Sequence, residues 1–157
     1  RVLFRSEAYS EIKKIRDVRQ FTGVLYGLSF VGVALFFTMM LGGDFTDCMV
    51  AGVAGLAMAI TQWALVPFGF NSFFLNMIST LSMALTAVGF QRFVFANMNI
   101  DLVIIGGIMP IVPGVIFTTA MRDTLNGDYT AGVSRMLETG VVAFAVAVGV
   151  ALAYVIL

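Results

Sequence analysis

Two prolines three residues apart inside a long apolar stretch are the first residues of this chain that suggest chemistry. They sit in Gly106-Gly-Ile-Met-Pro110-Ile-Val-Pro113-Gly114. Each proline removes one backbone donor, so the carbonyls of Gly106 and Met109 lose their usual helical partners and the helix should unwind there. Within lipid, freed backbone groups are tolerated only when buried in protein or lining a water-filled cavity, which marks the segment from Gly107 to Gly114 as a candidate binding site or pathway. A helix opening at Gly114 would turn its first N–H groups and its positive dipole end toward the break, a place suited to a carboxylate. One and two turns further on, Thr118 and Arg122 share a face, with Thr119 beside them, and all three can hydrogen-bond or pair with an anion. The plainer alternatives are prolines as simple kinks, Thr118 bonded to its own backbone, and Arg122 as a charge anchor at the membrane surface.

Four further charged residues follow. Asp123, Asp128 and Arg135 can form an ion-pair cluster, although Asp128 or Thr130 is better placed to cap the next helix. Glu138 lies deepest in sequence within the last apolar run, which makes it a candidate proton carrier; its spacing from Arg135 also permits an ordinary salt bridge. Asp123 is the second candidate for coupling. Upstream, Ser72, Asn76, Ser79, Met83 and Thr86 recur at steps of four and three and put a polar stripe on one helix face, with Asn76 a candidate for substrate contact. Interhelical hydrogen bonding is the commoner use of such a stripe, and of Thr61-Gln62.

These residues must be positioned by membrane-spanning helices. The 157 residues are 60% hydrophobic and 11% charged, far from the composition of a soluble domain. Nine of the eighteen charges fall in the first twenty residues, and none lies between Cys48 and Gln91. Five apolar runs approach the roughly 20 residues needed to cross the hydrocarbon layer. The spacing predicts an all-α, polytopic integral membrane protein with spans at about 21–41, 47–66, 72–91, 101–121 and 130–157, the fourth broken by its prolines and glycines. The last is longer than needed, so its first turns, with Arg135 and Glu138, should lie at the interface or in the cytosol. Residues 1–20, with apolar positions at helical spacing and six basic residues, are expected to form a short amphipathic helix at the headgroups or in the cytosol. Gly23 and Gly27, and Gly52, Gly55 and Ala59, are small faces suited to close packing.

Composition also excludes whole classes. With no histidine and a single cysteine, Cys48, the chain offers no internal disulfide, no His-ligated metal and no Ser-His or Cys-His pair. An enzyme is therefore not expected, nor a cofactor, nor a metal site. Beyond residue 19 only Arg92, Arg122 and Arg135 are cationic, so no nucleic-acid face is expected either. With the start of the chain inside, five spans place eight Lys/Arg on the cytoplasmic side and only Arg92 outside, so the end of the chain is expected outside. The chain begins with Arg1 and has no small-residue cleavage site, so neither a signal peptide nor a natural start is read, and an upstream segment is expected.

The run Gly107-Ile-Met-Pro110-Ile-Val-Pro113-Gly114, followed by Arg122-Asp123, Asn126-Gly127-Asp128, Gly132 and Arg135, resembles the signature of the bacterial threonine/serine exporter family, including its two-component relatives linked to succinate export. The similarity covers nearly the whole chain and is closest to the membrane part of the larger, amino-terminal component. The resemblance implies export of small hydroxy amino acids or dicarboxylates across the bacterial inner membrane. It also implies a second five-span unit, fused or supplied by a partner. An odd number of spans is what inverted-repeat transporters build their halves from, and no second half follows Leu157, so a subunit or half is expected. Two other readings use the same residues: a homo-oligomeric, channel-like pore with the unwound segment as its constriction, and a non-transporting scaffold subunit held by its glycine faces.

Overall fold

A computed structural model of the chain describes residues 23–157, and the amphipathic element expected over 1–20 lies outside the described residues. The described chain is all helical. Helix α1 runs Gly23–Met40, α2 Phe45–Leu65, α3 Ser72–Phe93, α4 Ile100–Ile108, α5 Gly114–Leu125 and α6 Tyr129–Ile156, with a 3-10 turn at Val66–Phe68. Four stretches are long and apolar enough to cross a membrane: Gly23–Met40, Phe45–Phe68, Ser72–Phe93 and Tyr129–Ile156. They coincide with four of the five expected apolar runs. In place of one helix over 101–121 the chain forms two short ones, α4 and α5, separated by residues 109–113.

The turns follow from their residues. Gly42 adopts φ 90°, where a side chain would be strained, so the chain can reverse tightly between α1 and α2. The amide of Gly43 then returns to the Thr38 carbonyl at 3.0 Å. Between α5 and α6 the same role falls to Gly127, at φ 89°. Asp128 next accepts a hydrogen bond from the Ala131 amide at 3.2 Å, so it caps α6 as its position suggests.

Small residues decide which helices meet. A Cβ on Gly55 would lie 3.0 Å from the Phe30 carbonyl and from Ala34, so α1 and α2 touch backbone to side chain. Gly27, the second residue of the early GxxxG, has nothing within 4 Å of where its Cβ would be, and a Cβ on Gly23 would meet only the Trp63 ring, at 3.6 Å, so the pair seats no helix backbone within the described chain. On α6, a Cβ on Gly149 would fall 2.6 Å from the Met77 carbonyl of α3, and Phe144 stacks on Phe73 at 6.3 Å. These contacts make α3 and α6 run in the same direction. They also leave residues 129–143 extending past the start of α3.

The short helix α4 fills the space among α1, α2 and α3, whereas α5 packs on α6. One apolar cluster joins Ala34, Val50, Ala51, Ala87, Val103 and Ile104, and a second joins Phe30, Met58 and Met83, with Ile108 and Ile111 against it. A buried carboxylate ties the entry to α4. Asp47 is 3% exposed, and its two oxygens accept from the amides of Asp44 and Asn99, each at 3.1 Å. Asp47→Ala leaves both donors without this acceptor and is expected to lower stability by about 1–3 kcal/mol. Thermal unfolding in detergent measures the loss, with Asp47→Asn, which keeps one acceptor oxygen, falling in between.

Candidate functional site

The segment between α4 and α5 shows what two prolines do to a helix. The Gly106 carbonyl, which Pro110 cannot serve, is taken by the Met109 amide at 3.3 Å, a tighter bond spanning three residues. The amides of Ile111 and Val112 then share the Ile108 carbonyl at 3.0 and 3.2 Å. Pro113, at φ −80° and ψ 57°, is the centre of an inverse γ-turn closed by the Gly114 amide on the Val112 carbonyl at 2.8 Å. Among the described residues, the carbonyls of Met109, Pro110 and Ile111 accept no hydrogen bond, and the amides of Val115 and Ile116 donate none. Unpaired acceptors therefore follow the end of one half-helix, and unpaired donors open the next, within residues 109–116.

The break is held from one side by α3. A Cβ on Gly107 would lie 2.7 Å from Met83 Sδ, so glycine lets α4 lie directly on that side chain. Along the polar stripe of α3, Ser72 is exposed, Asn76 and Thr86 are half-buried, and Ser79 and Met83 are buried. The other polar side chains of the helical core find partners. Tyr26 donates to Gln62 Oε1, and Thr61 Oγ1 sits 2.8 Å from both the Ala57 carbonyl and Ser82 Oγ.

Thr118, Thr119 and Arg122 lie one to two turns beyond the break, on the helix that packs on α6. Both threonine hydroxyls donate to the Val115 carbonyl, at 3.0 and 2.7 Å, and Arg122 is exposed. Their helix packs on α6 where Gly132 meets the Ala120 carbonyl and Thr124. Asp123 and Arg135 form an ion pair across this hairpin. With side chains 24% and 45% exposed, that pair is worth on the order of 0–1 kcal/mol. Glu138 is exposed on α6, and Asp128 serves as the cap. The predicted residues thus divide into two groups. Gly107, Pro110, Pro113 and Gly114 form the break, with Gly107 of α4 packed against Met83 of α3, the helix that carries Asn76. Thr118, Thr119, Arg122, Asp123, Asp128, Arg135 and Glu138 lie on the α5–α6 hairpin.

Two residues gain importance that their sequence positions did not signal. Asp47 reads as an ordinary acid in the first turn of a helix, and only its spacing from Asp44 hints at capping. Ser79 is one member of a polar stripe, yet it alone is a buried side-chain oxygen without a hydrogen-bond partner among the described residues. No group of three or more His, Cys, Asp or Glu able to hold a metal ion occurs among the described residues.

A family model described as "Putative threonine/serine exporter" matches residues 3–157. No curated protein and no solved structure matches the chain. The match takes in the four long apolar helices, the two short ones and the break between them, and a transport family is not an enzyme class. This chain is a transmembrane transport protein that belongs to the threonine/serine exporter family.

Proposed function

We propose that the chain is one half, or one subunit, of a secondary transporter that exports small carboxylate-bearing metabolites across the bacterial cytoplasmic membrane. The substrates are threonine and serine or, by the same carboxylate chemistry, succinate-like dicarboxylates. The observation that carries this reading is the interruption at 109–113, with acceptors unpaired on one side and donors unpaired on the other. Helices of 9 and 12 residues rise about 13 and 18 Å, so α4, the break and α5 together serve as the fourth of five crossings. Five crossings would put the two ends on opposite sides, and the distribution of Lys and Arg supports a cytoplasmic start and an outside end.

In this reading the substrate carboxylate meets the first amides of α5, at the break formed by Gly107, Pro110, Pro113 and Gly114, with Asn76 contributing from α3. Thr118, Thr119 and Arg122 line the way along α5. Glu138 or Asp123 carries the coupling proton, while Asp128 and Arg135 hold the hairpin in shape. A second five-span unit, a related chain or another copy, completes the transporter.

Efflux of labelled threonine and labelled succinate from cells producing the protein with and without a five-span partner tests the proposal. Efflux that requires both chains is expected. If neither solute moves although the complex is assembled and inserted, the proposal is overturned.

A further inference from the structure

Among the described residues, the buried and half-buried serine and threonine hydroxyls obey one rule with one exception. Thr38, Thr61, Thr80, Ser82 and Thr86 each place their hydroxyl 2.7–2.9 Å from a carbonyl of their own helix, the usual way to bury a hydroxyl away from water. Ser79 does not, although it is 0% exposed. A serine hydroxyl can rotate to the carbonyl four residues back at little cost, so one that is not held there is free to bond a partner from outside the chain.

Its place on α3 suggests which partner. Ser79 lies one helical turn from Met83 on the same face, and Asn76 lies a turn further. Met83 is the side chain on which Gly107 of α4 rests. Helix α4 begins beside Asp47, near the far end of α3, and runs antiparallel to it. Past Gly107 the antiparallel path leads from the level of Met83 in the direction of Ser79 and Asn76, and along that path the carbonyls of Met109, Pro110 and Ile111 lack partners.

Resting on the exporter reading above, we propose that Ser79 is a specificity-determining residue that hydrogen-bonds the side-chain hydroxyl of a hydroxy α-amino acid bound at the break. The unpaired carbonyls of 109–111 take the substrate ammonium, and the first amides of α5 take its carboxylate. An α-amino acid zwitterion uses both ends of the interruption, with the negative end of α4 facing its cation and the positive end of α5 facing its anion. A dicarboxylate has no group for the carbonyls. The proposal thus selects amino acids over succinate and assigns the choice of hydroxylated side chain to one residue.

The test is counterflow in vesicles containing the full exporter complex, preloaded with unlabelled threonine. Uptake of labelled threonine is compared with uptake of labelled 2-aminobutyrate, which is threonine without its hydroxyl, and with succinate as competitor. Ser79→Ala removes only an unpaired oxygen and leaves the helix intact. It is expected to lower the threonine to 2-aminobutyrate ratio about tenfold, the loss of one buried hydrogen bond, while 2-aminobutyrate uptake stays unchanged. Succinate is expected not to compete. A ratio unchanged in Ser79→Ala, or an equal fall for both amino acids, overturns the role of Ser79 while leaving the exporter reading standing. Competition by succinate overturns the zwitterion assignment. No counterflow of any amino acid by the wild-type complex overturns both this inference and the exporter reading beneath it.

Discussion

Replacing both Pro110 and Pro113 with alanine is expected to cut efflux by about tenfold or more while membrane insertion stays at the wild-type level. Each change returns a backbone donor and improves helix formation by about 3 kcal/mol. The restored amide at position 110 reaches the Gly106 carbonyl and that at 113 reaches the Met109 carbonyl, so α4 and α5 can join into one continuous helix. The acceptors of 109–111 and the donors of 115 and 116, which now lack partners, would then be used up within the helix. Continuous helix is also the more stable form in lipid, so the doubly substituted chain should insert at least as well as the natural one. Efflux per inserted molecule is therefore the quantity to measure. Unchanged efflux would remove the break from the transport site and leave the prolines as simple kinks.

The second large effect concerns stability. A Cβ at position 106 would meet the Thr38 hydroxyl and, within 3.0 Å, the Thr38 amide and the Ala34 carbonyl. Two of these three atoms are backbone and cannot move without shifting α1. Gly106→Val is therefore expected to cost about 3 kcal/mol, at the upper end for overpacking a core. Gly149→Val should do the same at the contact of α6 with α3, where the Met77 carbonyl lies 2.6 Å from the added carbon. Gly140→Val is the matched control, since nothing lies within 4 Å of its Cβ position and α6 tolerates the side chain. Thermal unfolding in detergent separates the three. If Gly106→Val melted with the wild type, the seat of α4 against α1 would be wrong.

Several features of the candidate site were legible because they are local. A proline lacks its N–H wherever it stands, so the unwinding after Gly106 follows from the residues alone, down to which carbonyl is released. The structure adds that the Gly106 carbonyl is recaptured by Met109, whereas that of Met109 stays unpaired. Asp128 as a cap is equally local, needing only an acid before the first turn of α6. The hydroxyls of Thr118 and Thr119 turning back to Val115 belong to the same class, because the acceptor is always one turn away.

The separation of the site into two groups was not legible. Thr118 and Arg122 share a face with each other by helical spacing, but spacing cannot tell which neighbour that helix will choose. In a soluble protein an apolar stripe points to the core. In a chain this hydrophobic the helices are apolar nearly all round, and the stripe carries little information about contacts.

By itself, then, the sequence determined the lengths of the long apolar helices, the places where the chain must turn, the break at Pro110 and Pro113, and the lack of any histidine or second cysteine to pair with Cys48. Those follow from backbone donors, from 1.5 Å of rise per residue and from side-chain inventory, none of which depends on a neighbour. Only the tertiary structure decided that α4 enters among α1, α2 and α3 while α5 leaves for α6, that Asp47 is buried at the entry to α4, and that among the described residues Ser79 alone of the buried hydroxyls has no partner. Each of these depends on how two surfaces fit at close range, where a glycine admits a backbone that any Cβ would exclude and a hydroxyl is satisfied or left waiting by what packs against it.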